Sequence, residues 1–235
     1  MTNSYQDSLA AASRLCHIAP LGSLRDKAQN DHTALIVIDM QNDFCARGGL
    51  VDKGGRDVSD AQAMAARLPA LINCARKAGV LIVFVRSVYS TEDNCYLSDV
   101  WLEQAARKQG GGYTTTPVCA DGSWGGDYYG DVRPQNGEIV VTKHRYNAFH
   151  HTDLDTILRA NGVRTIVVTG VSTNVCVEST ARDGFMRDYY VVLVADGTAA
   201  YSREEHDMTL RNIDRFFGEV VTIDGLRTIW DGRNR

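Results

Sequence analysis

The chain has 235 residues, 44% of them hydrophobic and 23% charged, and a formal net charge of -4. This length favours one α/β domain with a large core, and the acidic balance argues against a nucleic-acid surface, which needs clustered basic residues. No apolar run approaches the ~20 residues of a membrane span, and the first residues lack the pattern of a signal peptide. We therefore expect a cytoplasmic protein without a membrane or nucleic-acid partner.

The elements of the chain are predicted from its apolar runs and its turn signals. Residues 1–31 are polar and are predicted to be an N-terminal extension that packs on a neighbour, and residues 32–235 a single domain. Short β-branched runs predict six strands, at 33–38, 80–85, 138–142, 165–169, 190–195 and 219–223. Helical periodicity predicts helices at 60–77, 99–109, 152–161, 174–187 and 204–217, and residues 110–136 are predicted to form a long loop.

Three local signals refine the helices. Pro69 predicts a kink or a restart within the helix at 60–77, and Gly79 predicts its C-terminal end. Thr152 is the candidate N-cap of the helix at 152–161.

Alternating strands and helices indicate an α/β fold. Continuous β-branched strands are typical of parallel sheets that are buried on both faces. We therefore predict a doubly wound, mainly parallel six-stranded sheet with helices on both faces. In such folds the active site lies at the carboxyl ends of the strands, so the residues after each apolar run are the candidates for chemistry.

Two charged residues stand at predicted strand ends. Asp39 follows the first strand directly, where a carboxylate is either a turn cap or a catalytic group. Lys143 follows the third strand, where a lysine is either a solvated surface charge or a partner for a buried carboxylate.

The fourth strand runs into the segment 170–177, GVSTNVCV, which predicts a tight turn into a helix. Ser172, Thr173 or Asn174 would cap this helix, and Cys176 would lie in its first turn. Because the helix N-terminus favours an anion, we expect the pKa of Cys176 to lie below the usual thiol value of about 8.5. The alternative is a buried structural cysteine.

The other cysteines are expected to be free and mostly inert. The six are Cys16, Cys45, Cys74, Cys95, Cys119 and Cys176. A large core without a secretory signal favours free thiols over disulfides, and no CxxC pair suggests a zinc or redox motif.

Together, Asp39, Lys143 and Cys176 would meet at one edge of the predicted sheet. The carboxylate could accept the thiol proton, and the lysine could stabilise both groups. Backbone N–H groups in the turn before Cys176 could form an oxyanion hole. This combination predicts an acyl-transfer centre of the cysteine hydrolase type.

These motifs resemble the isochorismatase-like cysteine hydrolases. The segments 36–44 (IVIDMQNDF) and 170–177, with Lys143 between them, are similar to the family's three motifs, and the resemblance runs from about residue 31 to the C-terminus. It implies a six-stranded α/β fold that hydrolyses amides and ureides through an Asp-Lys-Cys triad without a cofactor. Homo-oligomers are usual in the family, so the resemblance also implies one here.

The resemblance also implies a role for each residue. Cys176 would be the nucleophile, Asp39 would move its proton to the leaving nitrogen, and Lys143 would orient and polarise the pair. A cis peptide bond between Val171 and Ser172 would aim the Ser172 N–H, with that of Cys176, at the substrate oxygen.

The finer similarity is to the ureidoacrylate amidohydrolases of pyrimidine breakdown. The segments 176–185 and 212–218 carry it, with Arg145 and Tyr146. The segment 86–131 departs from that pattern, so biuret-type and triuret-type hydrolases and N-carbamoyl amino acid amidases remain alternatives. Isochorismatase-type vinyl-ether hydrolysis is a further alternative, but this reaction needs no nucleophilic cysteine, so the presence of Cys176 argues against it. A small-molecule-binding α/β domain is the non-enzymatic alternative, although no GxGxxG segment or P-loop occurs.

Candidate pocket residues follow from their places beside the motifs. Phe44, Trp101, Tyr146 and Asn147 would contact the substrate or pack in the core. Arg86 would pair with a substrate carboxylate, which its fork-shaped guanidinium suits, or lie on the surface.

No metal site is predicted. The stretch 51–54, VDKG, lacks the histidine of the zinc-containing nicotinamidase branch, and neither His144 nor the pair His150 and His151 has zinc-ligand spacing. The histidine pair is expected to begin the following helix.

Overall fold

A parallel sheet forms the centre of the molecule. The computed structural model describes residues 2–16, 19–108 and 117–232. Its strands are β1 (Thr33–Ile38), β2 (Leu81–Ser87), β3 (Ile139–Lys143), β4 (Thr165–Val171), β5 (Tyr190–Ala199) and β6 (Glu219–Val221). They lie in the order β3-β2-β1-β4-β5-β6 and every neighbouring pair is parallel, which confirms the predicted doubly wound α/β fold.

Helices cover both faces of this sheet. They are α1 (Thr2–Cys16), α2 (Leu24–Lys27), α3 (Asn42–Cys45), α4 (Leu50–Lys53), α5 (Ser59–Ala78), α6 (Asp99–Lys108), α7 (Leu154–Ala160), α8 (Glu178–Met186), α9 (Arg203–Phe216) and α10 (Ile223–Trp230). Successive side chains of β1 point to opposite faces. Leu35 and Val37 therefore pack with α5 and α10, and Ile36 and Ile38 pack with α7, α8 and α9.

The strand order reverses between β1 and β4, which places a crevice at their carboxyl ends. Gly170 lets the two strands approach closely there. A Cβ at this position would lie 2.0 Å from the carbonyl oxygen of Ile38, and the φ of Gly170 is 107°. Asp39, the next residue after Ile38, has a φ of 53°, in the left-handed region that aspartate tolerates better than most residues. The chain is therefore closely constrained where the candidate site begins.

Several element boundaries differ from the predictions. Helix α5 continues through Pro69 without a break, because the buried Leu68, Leu71 and Ile72 on its inner face hold it against the sheet; it ends at Gly79, as predicted. Helix α7 begins at Leu154, after an N-cap at Asp153.

The prediction that Thr152 caps α7, and that His150 and His151 begin it, is wrong. The two histidines lie in turns, and His151 has a φ of 52°. The hydroxyl of Thr152 still accepts a hydrogen bond from the Leu154 N–H at 3.2 Å, so it satisfies one free donor of the helix start.

Five helices were not predicted: α1, α2, α3, α4 and α10. Helix α1 lies in the N-terminal segment, where Tyr5 donates to the Gly22 carbonyl. Helix α10 takes over residues assigned to the last strand, because Thr222 caps it by accepting from the Gly225 N–H. Residues 117–136 form no helix or sheet strand, and the rest of the predicted loop lies outside the described residues. Within the described part of the chain, no helix is long and apolar enough to cross a membrane.

Candidate active site

Three strand ends bring Asp39, Lys143 and Cys176 together. Asp39 follows β1, Lys143 is the last residue of β3, and Cys176 lies in a π-helical turn, Thr173–Val177, after β4. All three side chains are buried. The Lys143 Nζ lies 2.8 Å from Asp39 Oδ2 and 3.5 Å from Cys176 Sγ. The ammonium therefore touches both the carboxylate and the thiol.

Ser87 links Asp39 and Lys143 from the end of β2, the strand that lies between β1 and β3. Its hydroxyl accepts a hydrogen bond from Lys143 Nζ at 2.8 Å and donates one to Asp39 Oδ1 at 2.9 Å. Ser87 is fully buried, so this link is shielded from water. The sequence analysis missed its role, although its place at the end of an apolar strand was the available signal.

The Lys143 ammonium stays charged in this site. Burial lowers the pKa of Lys143, but the negative charge of Asp39 and the hydrogen bonds to Asp39 and Cys176 outweigh burial, so that its pKa lies above the usual value. Its three protons have acceptors in Asp39, Ser87 and Cys176, and the Arg145 carbonyl lies 3.1 Å away.

The expectation of an acidified Cys176 thiol is wrong. Burial raises the pKa of Cys176 to about 12, and the negative charge of Asp39 adds to the rise, while Lys143 opposes it. A hydrogen-bonding interaction with the Asp39 carboxylate also favours the protonated thiol. Because Cys176 lies in a buried π-helical turn ahead of α8, the dipole at a helix start does not decide its charge. The resting thiol is protonated, and a base must remove its proton during reaction.

This protonation state has a measurable consequence in the free protein. The rate at which iodoacetamide alkylates Cys176 is expected to keep rising from pH 7 to pH 10, with no plateau near neutrality, because only the thiolate reacts and its pKa is about 12. Mass spectrometry of the peptide that contains Cys176 measures this rate. A plateau below pH 8 would show a preformed thiolate and contradict the expectation.

The turn that carries Cys176 is held from several sides. The Cys176 carbonyl accepts from the Thr180 hydroxyl at 2.7 Å, and Thr180 accepts from the Ala148 N–H at 3.0 Å. Thr173 Oγ1 lies 2.9 Å from Nδ1 of His206 on α9. The Val171–Ser172 peptide bond is cis. The position of the sulfur is therefore set by neighbours on two helices and a loop.

A cavity of about 300 Å³ opens onto these groups. Its walls combine aromatic and aliphatic side chains with a few polar groups. Its lining residues are Asp39, Phe44, Leu50, Val51, Gly54, Arg56, Tyr89, Tyr146, Val171, Ser172, Val175, Cys176 and Tyr201. A cavity of this size, in which apolar walls surround a few convergent polar groups, is typical of a small-molecule site.

Two of the five predicted pocket residues, Phe44 and Tyr146, line this cavity. The structure places the other three elsewhere. Arg86 forms an ion pair with Asp121 at 2.7 Å. Trp101 packs behind the cavity wall, with its ring centroid 4.8 Å from that of Tyr146.

Asn147 holds the loop instead of the substrate. Its side-chain amide donates to Asp183 at 2.6 Å, and its oxygen accepts from the Phe149 N–H at 2.9 Å. Its hydrogen bonds are therefore used within the fold.

Arg56 and Tyr201 line the cavity but were missed by the sequence analysis. Both lie outside the recognised motifs, and no local pattern marks them. Tyr201 is held in place by a hydrogen bond from its hydroxyl to the Phe44 carbonyl at 2.9 Å.

Two other buried cysteines near the site do not line the cavity. Burial raises the pKa of Cys119 and of Cys45, and neither lines the cavity. The cysteines whose side chains are described are all free. Across the described ranges, no group of three or more His, Cys, Asp or Glu side chains could hold a metal ion.

Comparison with known proteins places this geometry among hydrolases. The family model described as the isochorismatase domain matches residues 33–225. The ureidoacrylate amidohydrolase RutB of Stutzerimonas stutzeri (strain A1501) is 40% identical over 201 residues, which cover 82% of this chain and 80% of that protein.

Solved structures show the same fold. A cysteine hydrolase from Pseudomonas syringae pv. phaseolicola 1448A superposes with a TM-score of 0.75 at 29% identity, covering 91% of this chain and 98% of that one. N-carbamoylsarcosine amidase from Thermoplasma acidophilum superposes with a TM-score of 0.63 at 27% identity, covering 82% and 97%.

Proposed function

The chain belongs to the isochorismatase family, and from that membership and the site geometry we propose that it is a cysteine amidohydrolase that cleaves a C–N bond of a small ureido or carbamoyl compound. One observation carries the proposal. A buried ammonium, Lys143, contacts both a carboxylate and a thiol at the edge of a cavity sized for a small molecule. The similarity to ureidoacrylate amidohydrolases supports the ureido class of substrate.

Asp39 is proposed as the base that activates Cys176. The resting thiol is protonated, and Lys143 contacts both the thiol and the carboxylate, so Asp39 lies beside the proton that it would accept. An ionised carboxylate offers about four lone-pair positions. The hydrogen bond from Ser87 and the ion pair with Lys143 therefore leave room for that proton.

The proposed reaction has two halves. Cys176 sulfur bonds to the ureido carbonyl carbon while its proton passes to Asp39; the C–N bond then breaks, and Asp39 returns the proton to the leaving nitrogen. Water attacks the resulting S-carbamoyl group, the S–C bond breaks, and the thiol regains its proton. The carbamic acid decomposes, so the net products are an amine, carbon dioxide and ammonia whichever C–N bond breaks first.

The backbone N–H groups of Ser172 and Cys176 are proposed to bind the oxyanion that forms in each half. Both residues line the cavity, and hydrogen bonds to its neighbours hold the turn before the substrate binds. Fixed donors of this kind favour the transition state because they need no reorganisation during reaction.

N-carbamoyl amino acid hydrolysis is the second candidate. The structural similarity to N-carbamoylsarcosine amidase supports it, and the same three residues would perform the same steps.

A homo-oligomer in the cytoplasm also stays a prediction, and the free cysteines support a reducing compartment.

A panel of small amides tests the proposed function. The purified protein is incubated with ureidoacrylate, biuret, triuret, N-carbamoyl amino acids and nicotinamide, and ammonia release is measured, with the Cys176→Ala variant as the background. We expect release from at least one ureido compound and none from nicotinamide. A folded protein that releases no ammonia from any ureido compound would refute the proposal.

A further inference from the structure

Arg56 is the cationic side chain, among the described residues, that lines the catalytic cavity. It follows the turn after α4, where its backbone N–H donates to the Val51 carbonyl at 3.2 Å. No hydrogen bond or ion pair joins its guanidinium to any described residue. An arginine that faces a substrate cavity without a protein partner is available for a ligand.

The acids near Arg56 in the chain are committed elsewhere. Both carboxylate oxygens of Asp57 accept hydrogen bonds from Ser59, at 2.9 Å each. Asp52 accepts from the Gly48 N–H at 2.8 Å. The segment 109–116, which lies outside the described residues, contains no aspartate or glutamate. Neighbouring carboxylates therefore do not neutralise Arg56.

The charge balance of the cavity follows from these contacts. The Asp39 carboxylate is paired with Lys143, and the Cys176 thiol is neutral. The remaining lining is aromatic, aliphatic or glycine apart from Ser172. The positive charge of Arg56 is therefore left uncompensated within the described cavity wall.

Tyr146 shows that this charge reaches the cavity interior. Burial raises the pKa of the Tyr146 phenol, while Lys143 and Arg56 oppose the rise. Because Tyr146 and Cys176 line the same cavity as Arg56, the positive charge of Arg56 acts on the cavity wall that also carries the sulfur.

We propose that Arg56 is a specificity-determining residue that binds a carboxylate of the substrate, so that the enzyme selects ureido acids over neutral ureido compounds such as biuret. This inference rests on the proposed function for the identity of the reacting group. Arginine suits this task because its planar fork matches a carboxylate with two parallel hydrogen bonds. Arg86, the candidate from the sequence, is excluded from this role by its ion pair with Asp121.

The test compares an acid with a neutral urea of similar length. The probes are 3-ureidopropionate and N-(3-hydroxypropyl)urea, and the protein variants are Arg56→Met, Arg56→Lys and Lys53→Met. Lys53 is the matched control because it is an exposed cation on α4 that does not line the cavity. Circular dichroism checks that each variant is folded.

Turnover and binding are measured separately. For 3-ureidopropionate, Arg56→Met is expected to lower kcat/KM by about 10- to 100-fold, mainly through KM, since a charge-assisted pair is lost. Arg56→Lys is expected to recover part of the loss. The ratio of kcat/KM for the acid to kcat/KM for the neutral urea should therefore fall in Arg56→Met, whereas turnover of either probe by Lys53→Met should stay within about twofold of the parent.

Binding of 3-ureidopropionate in the Cys176→Ala background is expected to weaken by the same factor when Arg56 is replaced. The role of Arg56 is refuted if the Cys176→Ala protein does not bind the acid, or if it binds the acid equally well after the Arg56→Met substitution. In either case, turnover of a urea by the parent protein would still support the proposed function. Arg56-dependent binding in a protein that hydrolyses neither urea would instead refute the proposed function and keep the carboxylate site.

Discussion

Replacement of Cys176 by alanine is expected to lower the hydrolysis rate of the best ureido substrate by about 10⁴-fold or more, since no S-carbamoyl intermediate can form. The loss should appear in kcat, because the rest of the cavity wall is unchanged. Cys176→Ser should be comparably inactive, since a hydroxyl is a much weaker acid than a thiol and Asp39 cannot ionise it. Initial rates of ammonia release measure both losses.

Cys119→Ala is the matched control for this prediction. Cys119 is also buried and its pKa is also raised, but it does not line the cavity. Its replacement should cost stability and leave kcat within about threefold of the parent, because packing and not chemistry is changed. A Cys176→Ala protein that retains the parental rate, or a Cys119→Ala protein that loses it while folded, would remove Cys176 as the nucleophile.

Much of the fold could be predicted from local patterns. The residues 33–38 and 165–169 form continuous runs of apolar or β-branched side chains, which are typical of strands buried on both faces. Helix α10 could not be predicted in this way. Its N-cap, Thr222, follows three β-branched or acidic residues that continue a strand pattern, and the strand stops where this cap and packing against α5 favour a helix.

The sequence predicts which three residues form the candidate site, but it does not predict the pKa of Cys176. Asp39 and Lys143 stand at the ends of two strands and Cys176 lies in the turn after a third, so the sheet topology brings them to one edge. The pKa of Cys176 depends on how deeply the sulfur is buried and on which side of it Asp39 lies, and neither is encoded in the neighbouring residues. The cavity roles of Arg56 and Tyr201 likewise depend on contacts between distant segments.

Lys143→Met is expected to lower the free energy of unfolding by about 3–5 kcal/mol as well as abolish turnover, because it removes the cation that compensates a buried carboxylate. Asp39 and Lys143 are both almost fully buried, so neither charge can turn to water when its partner is lost. Urea unfolding at pH 7, followed by circular dichroism, measures the loss. Met is chosen because its length and flexibility fill much of the lysine volume, so that the charge is the main change.

The double variant Asp39→Asn/Lys143→Met separates the effect of charge from that of packing. It removes both charges, so it is expected to be more stable than Lys143→Met alone by at least about 2 kcal/mol, while remaining inactive because the base is gone. If the double variant is no more stable than Lys143→Met, the lost stability arises from packing around the lysine. The ion pair would then contribute to the chemistry of Cys176 without determining whether this edge of the sheet folds.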